Sequence, residues 1–204
     1  MKESPALRAV MSRRSVRRFL RKPVPDSALE IVLKAGMRAP SPHNTQPWLF
    51  VAIKSEEERD ELAAALGKAY LAFLSAAGDR EAKEKARKAF ERTREAPALV
   101  VLCLDRAQLK PQATASRRKG EWMMGSQGVA AAAENMLIAA CAVGLGGCWR
   151  GAPVFSAPAV RRCLGLPGRM EPQVMLELGY PAQAPGRKEL KAKDEVVRYG
   201  IRRS

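Results

Sequence analysis

The stretch Ala98–Asp105, ALVVLCLD, constrains the fold more than any other part of this 204-residue chain. Its apolar residues run without alternation, and a strand with no polar side is covered on both faces. The rest of the chain therefore has to supply cover for two sides. Helical material is present for this. In "PDSALEIVLKAGMRAP", Leu29, Ile31, Val32 and Leu33 give an apolar stripe, Ser27 and Glu30 have capping-box spacing, and Pro40 follows the end. The alanine-rich run "GVAAAAENMLIAACAVGLGG" predicts a long buried helix over 121–143 that stops at Gly144. Glu134 and Asn135 interrupt it, which argues against a membrane span.

Short helices are predicted over 4–11, from Ser55, and over "SAPAVRRCLGL", and strands over "WLFVAIK", "GGCWRG" and "EPQVMLELGYP". Helices interleaved with about four strands predict an α/β or α+β domain around one sheet. Residues 68–95 are the most polar part of the body. Their alternating charges at helical spacing predict a solvent-exposed or lid-like helix, and "KPQATASRRKG" reads as a basic loop. After Pro181 the chain is too polar to bury itself, so a single domain is expected over 1–181 and a basic tail over 182–204.

Lys and Arg number 36 against 21 Asp and Glu, a net charge of +15. Such a surface suits an anionic cofactor, nucleic acid or an anionic membrane face. The aromatic-basic strand and zinc-finger spacing of nucleic-acid binders are missing. The four cysteines sit mostly among apolar neighbours, no two of them three apart, and there is one histidine. Reduced buried thiols and no metal site are expected. "MKESPALRAVMSRR" lacks the apolar core of a signal peptide, and a cytoplasmic location is the expectation. "GLGGCWRG" would need a glycine at Trp149 to be a dinucleotide fingerprint, and no Walker A sequence occurs.

Two stretches remain unexplained by packing. "RRSVRRF", Arg13 to Phe19, concentrates forked cationic donors suited to a delocalised anion. "APSPHNTQPWLF", Ala39 to Phe50, crowds prolines, amides, a histidine and a tryptophan ahead of a strand. Together with "GVAAAAENMLIAACAVGLGGCWRG" and "ELGYPAQAPGRKE", in this order and at this spacing, they resemble the nitroreductase family of FMN-dependent oxidoreductases.

That resemblance implies an α+β fold: a mixed, mainly antiparallel central sheet flanked by helices, assembled as an intertwined homodimer with FMN at the interface. It implies that Arg13, Arg14, Ser15 and Arg17 meet the cofactor, Arg13 and Ser15 at the phosphate and ribityl end, Arg17 at the N1–C2 edge of the ring. Pro40, Ser41, Asn44 and Gln46 match a block that reaches the flavin, the first three from the opposite subunit. Gly146 and Gly147 match a backbone passing close to the ring. Arg187 and Lys188 match a basic pair closing on the phosphate, although a commoner spacing would fall on Leu190. The implied reaction is ping-pong: NADH or NADPH reduces FMN, then an electron-poor acceptor such as a nitroaromatic or quinone takes the same place. No side chain is required as a catalytic acid or base. His43 reads as a surface imidazole, Trp48 and Phe50 as core anchors, and Trp122, Met123 and Met124 as pocket lining or core. Two other classes stay open: a flavin-binding sensor or reservoir without turnover, and a basic nucleic-acid-binding protein.

Overall fold

The computed structural model describes residues 4–184, 186 and 189–200. Along the chain these form α1 (Pro5–Ser12), α2 (Asp26–Met37), β1 (Trp48–Ile53), α3 (Glu56–Ala76), α4 (Ala82–Glu95), β2 (Ala98–Asp105), α5 (Ala115–Ala142), β3 (Gly146–Arg150), α6 (Ala152–Phe155), α7 (Ala157–Cys163), β4 (Met170–Gly179) and α8 (Lys193–Val196). The strands make one sheet in the order β1-β2-β4-β3, with every neighbouring pair antiparallel. Its mixed character comes from an isolated parallel bridge between Ser15 and Gly147. The α+β architecture inferred from sequence is the one observed.

All eight residues of β2 are buried. Val100, Leu102 and Leu104 pack on one side with Val129, Met136 and Leu137 of α5 and Leu29 and Val32 of α2. Leu99, Val101 and Cys103 pack on the other with Leu62 and Leu66 of α3 and Val160 of α7. Trp48 and Phe50 of β1 stack with ring centroids 5.9 Å apart and pack against the first core, as anchors should.

Three local expectations change. Helix α2 begins one residue before Ser27, with Pro25 at the N-cap position and no side-chain cap. Ser27 is thus inside the first turn, and the spacing to Glu30 does not make a capping box. Helix α5 starts earlier than its apolar run, because Thr114 accepts a hydrogen bond from the Arg117 amide and nucleates the turn. Arg117, Arg118 and Lys119 therefore ride on a helix and not on a loop. The polar region 68–95 divides between the end of α3 and the whole of α4, and α4 is bolted down. Arg94 pairs with Asp60 of α3 at 2.9 Å, and Arg59 donates to the Ala96 carbonyl at 2.7 Å. Asn135 of α5 donates to the Ala35 carbonyl at 3.2 Å, tying α5 to α2. Gly144, at φ 79°, closes α5 in the left-handed conformation that its sequence position foretold.

After α1 the chain runs along the free edge of β3. The Val16 amide donates to the Gly147 carbonyl at 3.0 Å, and the Leu20 amide to that of Tyr180 at 2.9 Å. This approach depends on an absent side chain. A methyl group at Gly146 would lie 2.6 Å from Val16 Cγ2 and 2.7 Å from its Cβ. A branched side chain at the backbone cannot swing away from such a contact. Gly146→Ala should destabilise the fold by about 1–3 kcal/mol and speed hydrogen exchange at the Val16 amide. Urea unfolding and amide exchange by mass spectrometry check this, and wild-type values in both would overturn the packing argument.

Candidate functional site

The segment Ser15–Arg18 forms one wall of a cavity of about 480 Å³, a volume in the usual range for cofactor sites. Ser15, Val16, Arg17 and Arg18 face Lys88, Glu91, Arg92 and Glu95 on α4, with Gln183 and Gly186 of the tail closing the rim. Arg17, Arg18, Lys88 and Arg92 outnumber the carboxylates Glu91 and Glu95, so the lining carries an excess of positive charge. The segment is positioned by its edge pairing with β3, which buries Val16.

The other residues of the first block point elsewhere. Arg13 Nε pairs with Glu134 of α5 at 2.9 Å. Arg14 folds back on the end of α1, donating to the carbonyls of Met11 and Arg13, both at 2.9 Å. Neither is among the residues lining the cavity. The two glycines answer to the protein's own packing. Gly146 makes room for Val16, and a methyl group at Gly147 would lie 2.5 Å from Leu137 Cδ2. Arg187 and Lys188 lie outside the described residues.

The second block is a strained turn. His43, Asn44 and Gln46 have φ of 53°, 55° and 48°, conformations that non-glycine residues seldom adopt. The turn holds because Ser41 Oγ accepts from the Gln46 amide at 3.0 Å and because it is seated on α5. A methyl group at Gly128 would lie 3.3 Å from the Pro40 carbonyl oxygen. His43 Nε2 approaches the buried Glu121 carboxylate at 4.0 Å, and that carboxylate also accepts from the Lys110 amide at 3.2 Å. None of Pro40, Ser41, Asn44 and Gln46 lines the cavity of Ser15 and Arg17. Within one chain the two blocks stay apart.

A smaller, apolar pocket of about 290 Å³ is lined by Ser126, Val129, Trp149, Val154, Phe155 and Val174, among others. Trp149, Val154 and Phe155 are exposed, Phe155 at 83%. Trp122, Met123 and Met124 are exposed as well, with Trp122 Nε1 donating to Glu171 at 2.6 Å, so they belong to no core. Of the four free cysteines, Cys103 and Cys148 are buried and Cys141 and Cys163 are half-buried.

Sequence reasoning missed two residues here. Arg92 carried no signal, since it sits in a helix full of alternating charges. Glu177 did carry one: it is a charged residue inside the apolar strand VMLELG. It is fully buried, and neither carboxylate oxygen has a hydrogen-bond partner among the described residues. Arg150 Nε comes within 3.4 Å of Oε1, a charge contact without hydrogen-bond alignment.

With this geometry in view, the comparisons with known proteins are decisive. The model of the nitroreductase family matches residues 10–180. The chain belongs to the nitroreductase family. An Archaeoglobus fulgidus protein provisionally named NADH dehydrogenase/NAD(P)H nitroreductase is 30% identical over 182 residues, covering 86% of this chain and 84% of its own. Two solved structures align along the whole chain. A provisionally assigned nitroreductase from Desulfovibrio desulfuricans, in complex with FMN, is 26% identical with a TM-score of 0.75, covering 98% of this chain and 99% of its own. A Bacteroides fragilis nitroreductase with bound FMN is 25% identical with a TM-score of 0.75, covering 97% of this chain and all of its own. Among the described residues of this nitroreductase-family chain, no helix is long and apolar enough to cross a membrane.

Burial pushes the Glu177 carboxyl up to about 7, against the opposing pull of Arg150, Arg92 and Arg17. The folded value exceeds the ordinary 4.5, so this group favours folding fully below that value. The contribution is lost as pH rises through about 7. Glu177→Gln, which keeps the neutral shape, should therefore gain stability relative to wild type between pH 5 and pH 8, on the order of 2 kcal/mol. Urea unfolding of both proteins at the two pH values reads the difference. An unchanged difference would mean that Glu177 holds no proton near neutrality.

Proposed function

We propose that this chain is an NAD(P)H-dependent flavin oxidoreductase that holds FMN in the cavity walled by Ser15–Arg18 and α4. The observation that carries the reading is the cationic excess of that cavity, built on the first sequence block, in a chain whose relatives in solved structures are complexed with FMN. A cavity of this size and charge fits a flat ligand bearing a phosphate. The name of the Archaeoglobus relative supports NADH or NADPH as the donor. When bound, FMN accepts electrons from the nicotinamide and passes them, in ping-pong order, to a flat electron-poor acceptor such as a nitroaromatic or a quinone.

The chain's own part is binding, orientation and charge. Ser15 and Arg17 face the ligand directly, and Arg92 adds a second guanidinium from α4. These cations are held by backbone pairing and helix packing before any ligand arrives. They favour negative charge in the cavity without having to reorganise. Arg13, anchored by Glu134, stands two residues before the lining and serves the phosphate end, a role that Arg187 and Lys188 share. No side chain is assigned as a catalytic acid or base. Arginines gathered on the walls of a concave pocket of limited volume support a cofactor over a nucleic-acid backbone, which calls for an extended basic track. Four free cysteines suit a reducing compartment such as the cytoplasm.

The enzyme works as a homodimer in this reading. The strained Pro40–Gln46 turn is too far removed to line its own chain's cavity, so it serves the cavity of a second copy. The exposed apolar side chains of Trp149, Val154 and Phe155 give a partner something to cover. Residues 182–204, whose first part already rims the cavity through Gln183, continue across onto that partner.

Purified protein should carry FMN, released by mild acid, and NADH or NADPH should bleach its visible band in anaerobic stopped flow. Steady-state rates against a nitroaromatic should give parallel lines in double-reciprocal plots. If dithionite bleaches the flavin and neither nicotinamide does, the sensor or reservoir reading replaces the enzyme. Deleting residues 182–204 should lower both FMN content and dimer stability, as read by absorbance and analytical ultracentrifugation. A truncated protein that stays dimeric and fully loaded with flavin would refute the role given to the tail.

A further inference from the structure

Glu177 lies next to the strand that carries one wall of the charged cavity: its register partner on β3 is Cys148, and the adjacent Gly147 bridges to Ser15. Arg150 of β3 approaches it at 3.4 Å, and the charges of Arg92 on α4 and Arg17 on the N-terminal segment act on it from further away. From β2 its register partner is the apolar Leu99. Burial raises the Cys148 thiol further from ionisation, so it contributes no charge. Two of the three guanidiniums, Arg17 and Arg92, also line the cavity. They are shared between the carboxylate on the inside and whatever anion enters from the outside. A buried carboxylate without a hydrogen-bond partner keeps its charge only through such cations.

We propose that Glu177 is a charge-balancing residue for this cavity, ionised when the cavity is empty and protonated when an anion takes over Arg17 and Arg92. The proposal rests on the flavin reading of the cavity and names the residue that couples flavin binding to pH. Its physics is competition. An incoming phosphate-bearing ring brings negative charge near guanidiniums that until then compensated Glu177 alone. The carboxylate then loses part of its stabilisation while its desolvation stays, so the charged form becomes the costly one. A proton from solvent restores neutrality at that position. No electron moves and no covalent bond other than O–H is made.

The position of the carboxyl's own titration, about 7 without ligand, leaves it ionised at pH 8 and able to respond. The FMN phosphate, with a second pKa of about 6, is already fully ionised there and takes up no proton of its own. Binding should then draw in about one proton per FMN at pH 8, and affinity should weaken with rising pH by up to about tenfold per unit.

The test is calorimetric titration of flavin-free protein with FMN at pH 8 in two buffers of different ionisation enthalpy, which counts the protons taken up. Wild type should take up about one, Glu177→Gln close to none, and Glu30→Gln, which alters an exposed carboxylate on α2 outside the cavity, should keep the wild-type uptake. Infrared difference spectra of wild type, with and without FMN, should show a new carboxylic-acid carbonyl band, so the result does not depend on any variant folding. FMN binding without proton uptake, uptake that survives Glu177→Gln, or uptake lost in Glu30→Gln would overturn the proposal while leaving the flavin reading intact. A protein that binds no FMN would overturn both.

Discussion

Burial of β2 on both faces is the constraint on which the rest of the structure depends. Every residue of Ala98–Asp105 is out of contact with water, so its backbone must be paired on both edges and its side chains covered on both sides. β1 and β4 supply the edges, α5 with α2 one face, α3 with α7 the other. Once β4 is placed to satisfy β2, β3 falls at the end of the sheet with an open edge. That edge is where the N-terminal segment docks and where the charged cavity forms. The site is thus a consequence of completing the hydrogen bonds of a central strand.

Close approach is what turns this scaffold into a site. Gly146 and Gly147 let Val16 and Leu137 in from either side of β3, and Gly128 lets the Pro40–Gln46 turn rest on α5. The turn carries three residues at positive φ, each costing conformational energy that its seat and the Ser41 hydrogen bond must offset. Such strain survives only where the surroundings over-determine the conformation. A turn held this way presents Asn44 and its neighbours at fixed positions, as the proposed contribution to a second copy's cavity requires.

Charge is arranged with similar economy. The net positive charge of the chain is not spread evenly in its effect: Arg17 and Arg92 are brought together from segments 75 residues apart in sequence. Both act electrostatically on the buried Glu177 carboxylate, which Arg150 flanks at 3.4 Å. By contrast, the ion pairs along α4, such as Arg87 with Glu84, are exposed and contribute little beyond helix stability. The same residue types do different work according to what they face.

Much of this was legible from residues alone. The unbroken apolar run of β2 dictated a sheet covered on two sides, the alanine-rich run dictated the long helix and its stop at Gly144, and the blocks containing Ser15, Arg17 and Ser41 carried the resemblance to the family. These are local signals, set by periodicity, turn chemistry and residue type within a few positions. The rest required the tertiary structure. The Ser27–Glu30 spacing looked like a cap, but the helix begins a residue earlier, and only the folded chain shows where. Gly146 and Gly147 read as a backbone of close approach, and only the folded chain shows that Val16 and Leu137, from distant segments, press on them. Arg14 sits in the right block yet turns onto its own helix end, and Arg92 sits in an ordinary-looking charged helix yet lines the cavity. Which side chains meet depends on pairing along the β3 edge and on how α4 lies on α3, and neither is encoded in any short stretch of sequence.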